Sequence, residues 1–259
     1  MTWRFVDTGF RSGAWNMAFD EQTAVNFDPS ADLPLLRVYG WNPPTISIGI
    51  HQSAEDFDLK KIARDRLALV RRPTGGRAIF HAHELTYSVV LAARGRGARE
   101  IYRELSRGIL AALAFLGISA DVAGTDDRPV PPADPLSIPC FGTATRSEIR
   151  AGGRKIVGSA QRRYGETILQ HGSFLLGPRH RELGGYVATS LRGATEAVER
   201  RLVDATTEAE TVLGRPVPFS EAAAAFRAGF EQAYGMTFVE QQPDDFRPVH
   251  TDSQLLQPL

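Results

Sequence analysis

Six short runs of strand-forming residues fall between positions 4 and 92: 4–7, 35–39, 45–50, 67–72, 77–80 and 85–92. Turn residues separate them, as in Gly40-Trp41-Asn42-Pro43-Pro44 and Pro73-Thr74-Gly75-Gly76. Two helices are expected among these runs, at 13–26 and 56–64. Beyond them, Ile101, Leu105, Ile109, Leu113 and Leu116 recur at helical spacing and predict a helix over 99–116, stopped by Gly117. A hairpin is predicted over 148–157, turning at Gly152-Gly153. A second is expected to join 159–161 to 167–176 around Tyr164-Gly165. The later helices are expected at 206–213 and 220–234. These elements describe a mixed sheet with helices packed against it, of the α/β or α+β class. One catalytic domain is expected over 1–240, with a core at 1–190 and a helical part at 195–240. The polar, proline-bearing stretch 241–259 is expected to form a tail.

Hydrophobic residues make up 42% of the chain, enough for a sizeable core. Thirty basic and thirty acidic side chains cancel, which argues against a nucleic-acid binder, since phosphate neutralisation needs a basic surplus. A single cysteine cannot form an internal disulfide, so a reducing compartment is natural. The first residues lack an apolar signal core, and no run approaches the ~18 apolar residues that span a bilayer. The expectation is a soluble cytoplasmic protein with neither nucleic acid nor membrane as a partner.

Two rare residues then stand out. Cys140 is the lone cysteine, and Lys155 is one of three lysines in a chain that otherwise uses arginine. Lysine supplies a compact ammonium where arginine supplies a fixed fork, and a thiol beside such a charge becomes a better nucleophile. Cys140 closes a Pro- and Asp-rich stretch, 124–139, of the kind that forms a long functional loop. The plain alternatives are a buried apolar cysteine and an arginine bias of composition.

Arg71-Arg72-Pro73-Thr74-Gly75-Gly76-Arg77-Ala78-Ile79-Phe80-His81 forms a second constellation. Paired glycines allow close backbone approach to a ligand, and three arginines suit phosphate or carboxylate. A tight turn with solvated arginines is the structural alternative. The glycine spacing matches neither a Walker nor a dinucleotide loop. Gln170-His171-Gly172-Ser173 is a third, in which His171 either orients a substrate or serves a structural role. His81 and His83 lack a third ligand at zinc spacing.

Taken together, these segments resemble the lipoate–protein ligase and octanoyltransferase superfamily. The segment 71–81 followed by Glu84-Leu85-Thr86-Tyr87-Ser88 resembles its signature, and Asn16-Met17-Ala18-Phe19-Asp20-Glu21 resembles its N-terminal helix. Gly153-Arg154-Lys155-Ile156-Val157-Gly158-Ser159-Ala160-Gln161 with Ile168-Leu169-Gln170-His171-Gly172-Ser173 resembles its lysine segment. Gly75-Gly76-Arg77 and the cysteine look like the cysteine-dependent octanoyltransferases of the Gram-positive type. One departure is Ala82, where the family usually has Asp; His83 or Glu84 is the candidate replacement.

The resemblance implies a biotin/lipoate ligase-like catalytic domain with a largely antiparallel central sheet. It implies that Cys140 takes an octanoyl group from octanoyl-acyl-carrier protein and passes it to a lysine of an apo lipoyl domain, such as the glycine cleavage H protein. Lys155 would lower the thiol pKa and steady the developing charge. Arg72, Thr74, Gly75, Gly76, Arg77, His81, Ser159, Ala160 and His171 would contact substrate. Arg71, Arg72 and Arg77 would suit the carrier's phosphate and acidic surface. No cofactor is implied. An ATP-dependent lipoate–protein ligase, with ATP and Mg, is the first alternative. Amide-to-amide transfer between lipoyl domains and a silent binder of acyl-carrier or lipoyl domains are the others.

Overall fold

The computed structural model describes residues 1–123, 148–188 and 195–242. Its main sheet has eight strands, in the order β11-β1-β2-β6-β10-β9-β8-β7. These are β1 (Thr2–Arg11), β2 (Leu35–Trp41), β6 (Glu84–Ala92), β7 (Asp121–Val122), β8 (Ile149–Ala151), β9 (Arg154–Tyr164), β10 (Thr167–Leu175) and β11 (Thr237–Glu240). In this sheet only the β11–β1 and β1–β2 pairings are parallel. A second sheet sets β3 (Thr45–Ile48) between β4 (Ala68–Arg71) and β5 (Ile79–His81). The mixed, largely antiparallel architecture is the one expected.

Two helices, α3 (Ala98–Phe115) and α6 (Phe219–Tyr234), cover one face of the main sheet. Leu85, Tyr87, Val89 and Leu91 of β6 alternate inward toward them, and Phe226 and Phe230 of α6 complete this core. Gly108 and Gly229 let the two helices meet closely: a Cβ at Gly229 would lie 2.3 Å from the backbone nitrogen of Ala112. The opposite residues of β6 and β10 face α1 (Gly13–Asn26) and the small sheet, and the site forms between these layers.

Several boundaries differ from expectation. The helix expected at 56–64 is a short 3-10 turn at Ala54–Asp56 followed by α2 (Leu59–Arg64), because Asp58 caps α2 by accepting from the Lys61 amide. The two hairpins share one continuous strand, β9. The helix expected at 206–213 is the shorter α5 (Ala209–Leu213), and α4 (Thr195–Ala205) precedes it. Thr206 leaves the helix to bridge Lys155 of β9. A 3-10 stretch, Pro178–Tyr186, and strand β11 were not expected. No helix among the described residues is long and apolar enough to cross a membrane.

Candidate active site

A narrow slot opens between the two sheets. Its empty volume is about 380 Å³ out to the mouth. Met17, Tyr39, Trp41 and Ile79 supply an apolar wall, and the backbones of Gly158 and Gly172 supply a flat one. Gly172 has no room for a side chain, since a Cβ there would lie 2.5 Å from the Gly158 carbonyl oxygen. The remaining lining includes Ser47, Arg72, His81, Thr86, Ser159, Ala160, His171 and Ser173. The structure therefore gathers Arg72, His81, Ser159, Ala160 and His171 around one cavity.

Beside the slot, the loop 73–77 is fastened by its carbonyl groups. Arg72 donates to the carbonyl oxygens of Gly75 (2.9 Å) and Arg77 (2.7 Å), Arg162 donates to that of Pro73 (2.9 Å), and the Ile50 amide donates to that of Thr74. Gly76 has φ +91°, and the loop lies so near β3 that a Cβ at Gly49 would fall 2.0 Å from the Gly76 carbonyl oxygen. This geometry changes the reading of two arginines expected to face phosphate. Arg72 is buried and braces its own loop, while Arg71 donates to the carbonyls of Gly49, Ile50 and Gln52. A buried guanidinium needs such acceptors, and here the backbone supplies them.

Two hydroxyl–imidazole–carboxylate chains flank the slot. In the first, the Thr74 hydroxyl lies 2.6 Å from His171 Nε2, and His171 Nδ1 lies 3.2 Å from Asp20 Oδ2. Asp20 also accepts from Arg37 (2.7 Å), Tyr39 (2.8 Å) and Ser88 (2.8 Å). Burial works against the Asp20 charge, but the buried Arg37 guanidinium and the hydrogen bonds from His171 and Ser88 together outweigh it and hold the carboxyl below its usual range. The ionised Asp20 only accepts, so His171 carries its proton on Nδ1 and Thr74 donates to Nε2. Burial pushes the His171 pKa down, against the pull of Asp20, and keeps the ring neutral.

The second chain runs from Ser47 to Glu84. Ser47 Oγ is 2.7 Å from His81 Nε2, and His81 Nδ1 is 2.8 Å from Glu84 Oε1. Thr86 also donates to Glu84, and Trp41 Nε1 donates to Thr86 Oγ1 at 2.7 Å. Burial opposes the Glu84 charge, but His81 holds the carboxyl below its usual range. Of the two candidates beside Ala82, Glu84 is the one that presents a carboxylate to His81. His83 instead packs against Gly177, where a Cβ would lie 2.0 Å from its ring.

Lys155 lies on β9 five residues before Ala160. It is 3% exposed, and its Nζ donates to Glu148 Oε1 at 2.8 Å. Cys140 lies outside the described residues. Asp20, Arg37 and Ser47 were not among the expected site residues. Arg37 carried a usable signal: an arginine inside Leu35-Leu36-Arg37-Val38-Tyr39, buried throughout, requires a carboxylate nearby.

The model of the lipoyl protein ligase A/B catalytic domain matches residues 12–231. A protein of Symbiobacterium thermophilum named octanoyltransferase LipM is 44% identical over 93% of this chain and 89% of its own length. The octanoyltransferase LipM of Bacillus subtilis is 35% identical over 89% of this chain and 85% of its own. Among solved structures, a lipoate-protein ligase A bound with ATP superposes with a TM-score of 0.75 at 24% identity, covering 93% of this chain and 89% of that one. A bipartite lipoate protein ligase from Thermoplasma acidophilum gives 0.76 at 21% identity, covering 93% and 87%. These two superpositions speak for the fold.

Proposed function

Because the chain belongs to the lipoyl protein ligase A/B catalytic domain family and is an acyltransferase of it, we propose that it moves an octanoyl group from octanoyl-acyl-carrier protein, through a thioester on Cys140, to a lysine of an apo lipoyl domain in lipoate biosynthesis. The glycine cleavage H protein is the kind of acceptor this reading names. The observation that carries it is the slot between the two sheets, whose apolar wall of Met17, Tyr39, Trp41 and Ile79 suits an acyl chain. Burying six methylenes there at about 0.8 kcal/mol each offers about 5 kcal/mol for chain selection.

In the first step the Cys140 sulfur attacks the donor's carbonyl carbon and the carrier's thiol leaves. One thioester replaces another, so the step is nearly isoenergetic and needs neither ATP nor another cofactor. Lys155 offsets charge on the cysteine sulfur and on the carbonyl oxygen as the bond forms. Its pairing with Glu148 holds a cation on the strand that also forms the slot wall at Gly158 and Ala160. In the second step the acceptor amine attacks, and formation of an amide makes transfer downhill.

The test is intact mass measurement after mixing enzyme with octanoyl-acyl-carrier protein without ATP. A hydroxylamine-labile octanoyl adduct, missing from Cys140→Ser and discharged by an apo lipoyl domain, is expected. Acceptor modification only on adding ATP with free octanoate or lipoate would make the chain a ligase instead.

A further inference from the structure

The slot has a direction. Of the residues that line it, only Ser159 and Ala160 on β9 are half-buried, and the others are buried. The mouth therefore lies at β9, the strand that also carries Lys155. From there the slot crosses the main sheet from strand to strand. Gly158 of β9 stands opposite Ser173 of β10, Ser173 opposite Thr86 of β6, and Thr86 opposite Tyr39 of β2. All four line the slot. From β9 to β2 is three strand spacings, about 14 Å.

Side chains grow along this row, from none at Gly158 through the small hydroxyl groups of Ser173 and Thr86 to the phenol of Tyr39. At the inner end Met17, Tyr39, Trp41 and Val70 form one buried apolar cluster. The rows on either side are already occupied. On one flank Asp20 accepts from Arg37 and Ser88 and pairs with His171. On the other, Trp41 Nε1 donates to Thr86 Oγ1, and the Trp41 ring stacks on His81 with centroids 4.0 Å apart. A chain that enters at β9 has one track, and it leads to Tyr39. That ring is held in place. Its hydroxyl donates to Asp20 Oδ2 at 2.8 Å, and the Arg37 guanidinium carbon lies 3.7 Å from its centroid.

We infer that Tyr39 is the stop against which the methyl end of the acyl chain rests, so that the row from Gly158 to Tyr39 measures chain length, which rests on the acyl-transfer reading above. The acyl carbonyl stays at the mouth beside β9, and the methylenes lie over Ser173 and Thr86. A shorter chain leaves the apolar inner end unfilled and forgoes its burial. A longer chain meets the Tyr39 ring before its carbonyl has reached the seat at the mouth. Tyr39 takes no part in making or breaking bonds; it decides which chains are seated.

Wild type, Tyr39→Val, Tyr39→Phe and Ser173→Leu are compared for kcat/KM with hexanoyl-, octanoyl-, decanoyl- and dodecanoyl-acyl-carrier protein, read as the mass gained by an apo lipoyl domain. Each methylene that finds room is worth about fourfold. Tyr39→Val should therefore raise the decanoyl-to-octanoyl ratio on the order of tenfold over wild type. Tyr39→Phe keeps the ring and should hold the wild-type ratio. Ser173→Leu fills the track nearer the mouth and should move the preference to hexanoyl. The ratio within one variant is the readout, because a loosened fold lowers transfer of every chain alike. An unchanged ratio in Tyr39→Val, or a shift as large in Tyr39→Phe, would overturn the stop and leave the transfer reading standing. Should Tyr39→Val not fold, Ser173→Leu decides, since it adds bulk to empty space; an unchanged ratio there would overturn the track. A wild type that modifies the acceptor from none of these thioesters would overturn the transfer reading and the stop together.

Discussion

The hydroxyl of Thr74 and the Nε2 of His171 lie 2.6 Å apart although 97 positions separate them in the chain. The bond ties the turn between β4 and β5 to the middle of β10. It gives the slot a fixed rim, because Thr74 immediately precedes Gly75, whose carbonyl Arg72 holds. Asp20 sets the tautomer that makes the bond possible, so the rim rests on α1 as well.

Thr74→Val keeps the side-chain shape and removes the donor. His171 Nε2 is left buried and unpaired, a loss of about 1–3 kcal/mol. Urea unfolding should show that loss, and the KM for the octanoyl donor should rise as the rim loosens. Thr74→Ser should restore both. Equal stability of Thr74→Val and wild type would show that the hydroxyl does not hold the loop.

Arg37 and Asp20 are each wholly buried and 2.7 Å apart, with the guanidinium stacked 3.7 Å from the Tyr39 ring centroid. Asp20→Ala leaves an uncompensated charge in the core and should cost about 3–5 kcal/mol. Asp20→Ala with Arg37→Met should recover part of that loss. A double-mutant cycle by chemical denaturation checks this, and strict additivity of the two losses would sink the pairing argument.

Much of this was readable before any coordinates. The strand runs and the helix over 99–116 follow local periodicity, and α3 spans Ala98–Phe115 accordingly. The glycine-loop and lysine segments kept their order and meet around one slot. Asp20 was less legible: it reads as an ordinary acidic helix position until β2 lays Arg37 across it. Glu84 was one of two candidates beside Ala82, and only the meeting of β5 and β6 shows that it, and not His83, pairs with His81. Strand β11 has four residues, three of them exposed, and gains its identity only by pairing with β1. Such pairings are properties of the assembled layers, which no local window contains.

Acid should weaken the fold through His180, whose pKa burial pushes down to about 4. Its ring nitrogens lie 2.8 Å from Thr206 Oγ1 and 3.3 Å from the Gly177 carbonyl oxygen. The unfolded chain takes up this proton near pH 6.5, and the folded chain only near pH 4. Stability from this group is therefore complete above about pH 6.5 and lost as pH falls toward 4, by roughly 3 kcal/mol. The depressed pKa of His171 acts with the same sign. Melting temperatures across that window should fall on acidification, less steeply for His180→Gln; an identical slope would remove His180 from the account.

Gly229→Ala would press a methyl carbon onto the α3 backbone at Ala112. Neither helix axis can yield without moving Phe226 and Phe230 in the core. A destabilisation of about 1–3 kcal/mol is expected by thermal or urea unfolding, with Gly108→Ala acting similarly against the Phe230 ring. A variant as stable as wild type would mean that the two helices have slack.

Among the described residues, the outermost strands of the main sheet are β11 and β7, of four and two residues. Inside β11 lies β1, ten residues long, with Trp3, Phe5 and Val6 buried. Short borders offer little unpaired backbone to a passing molecule, whereas a bared β1 would offer a long, partly apolar template. The small strand after α6 therefore guards against self-association: loosening it would favour aggregation through β1 while leaving the slot on the far side of the sheet intact.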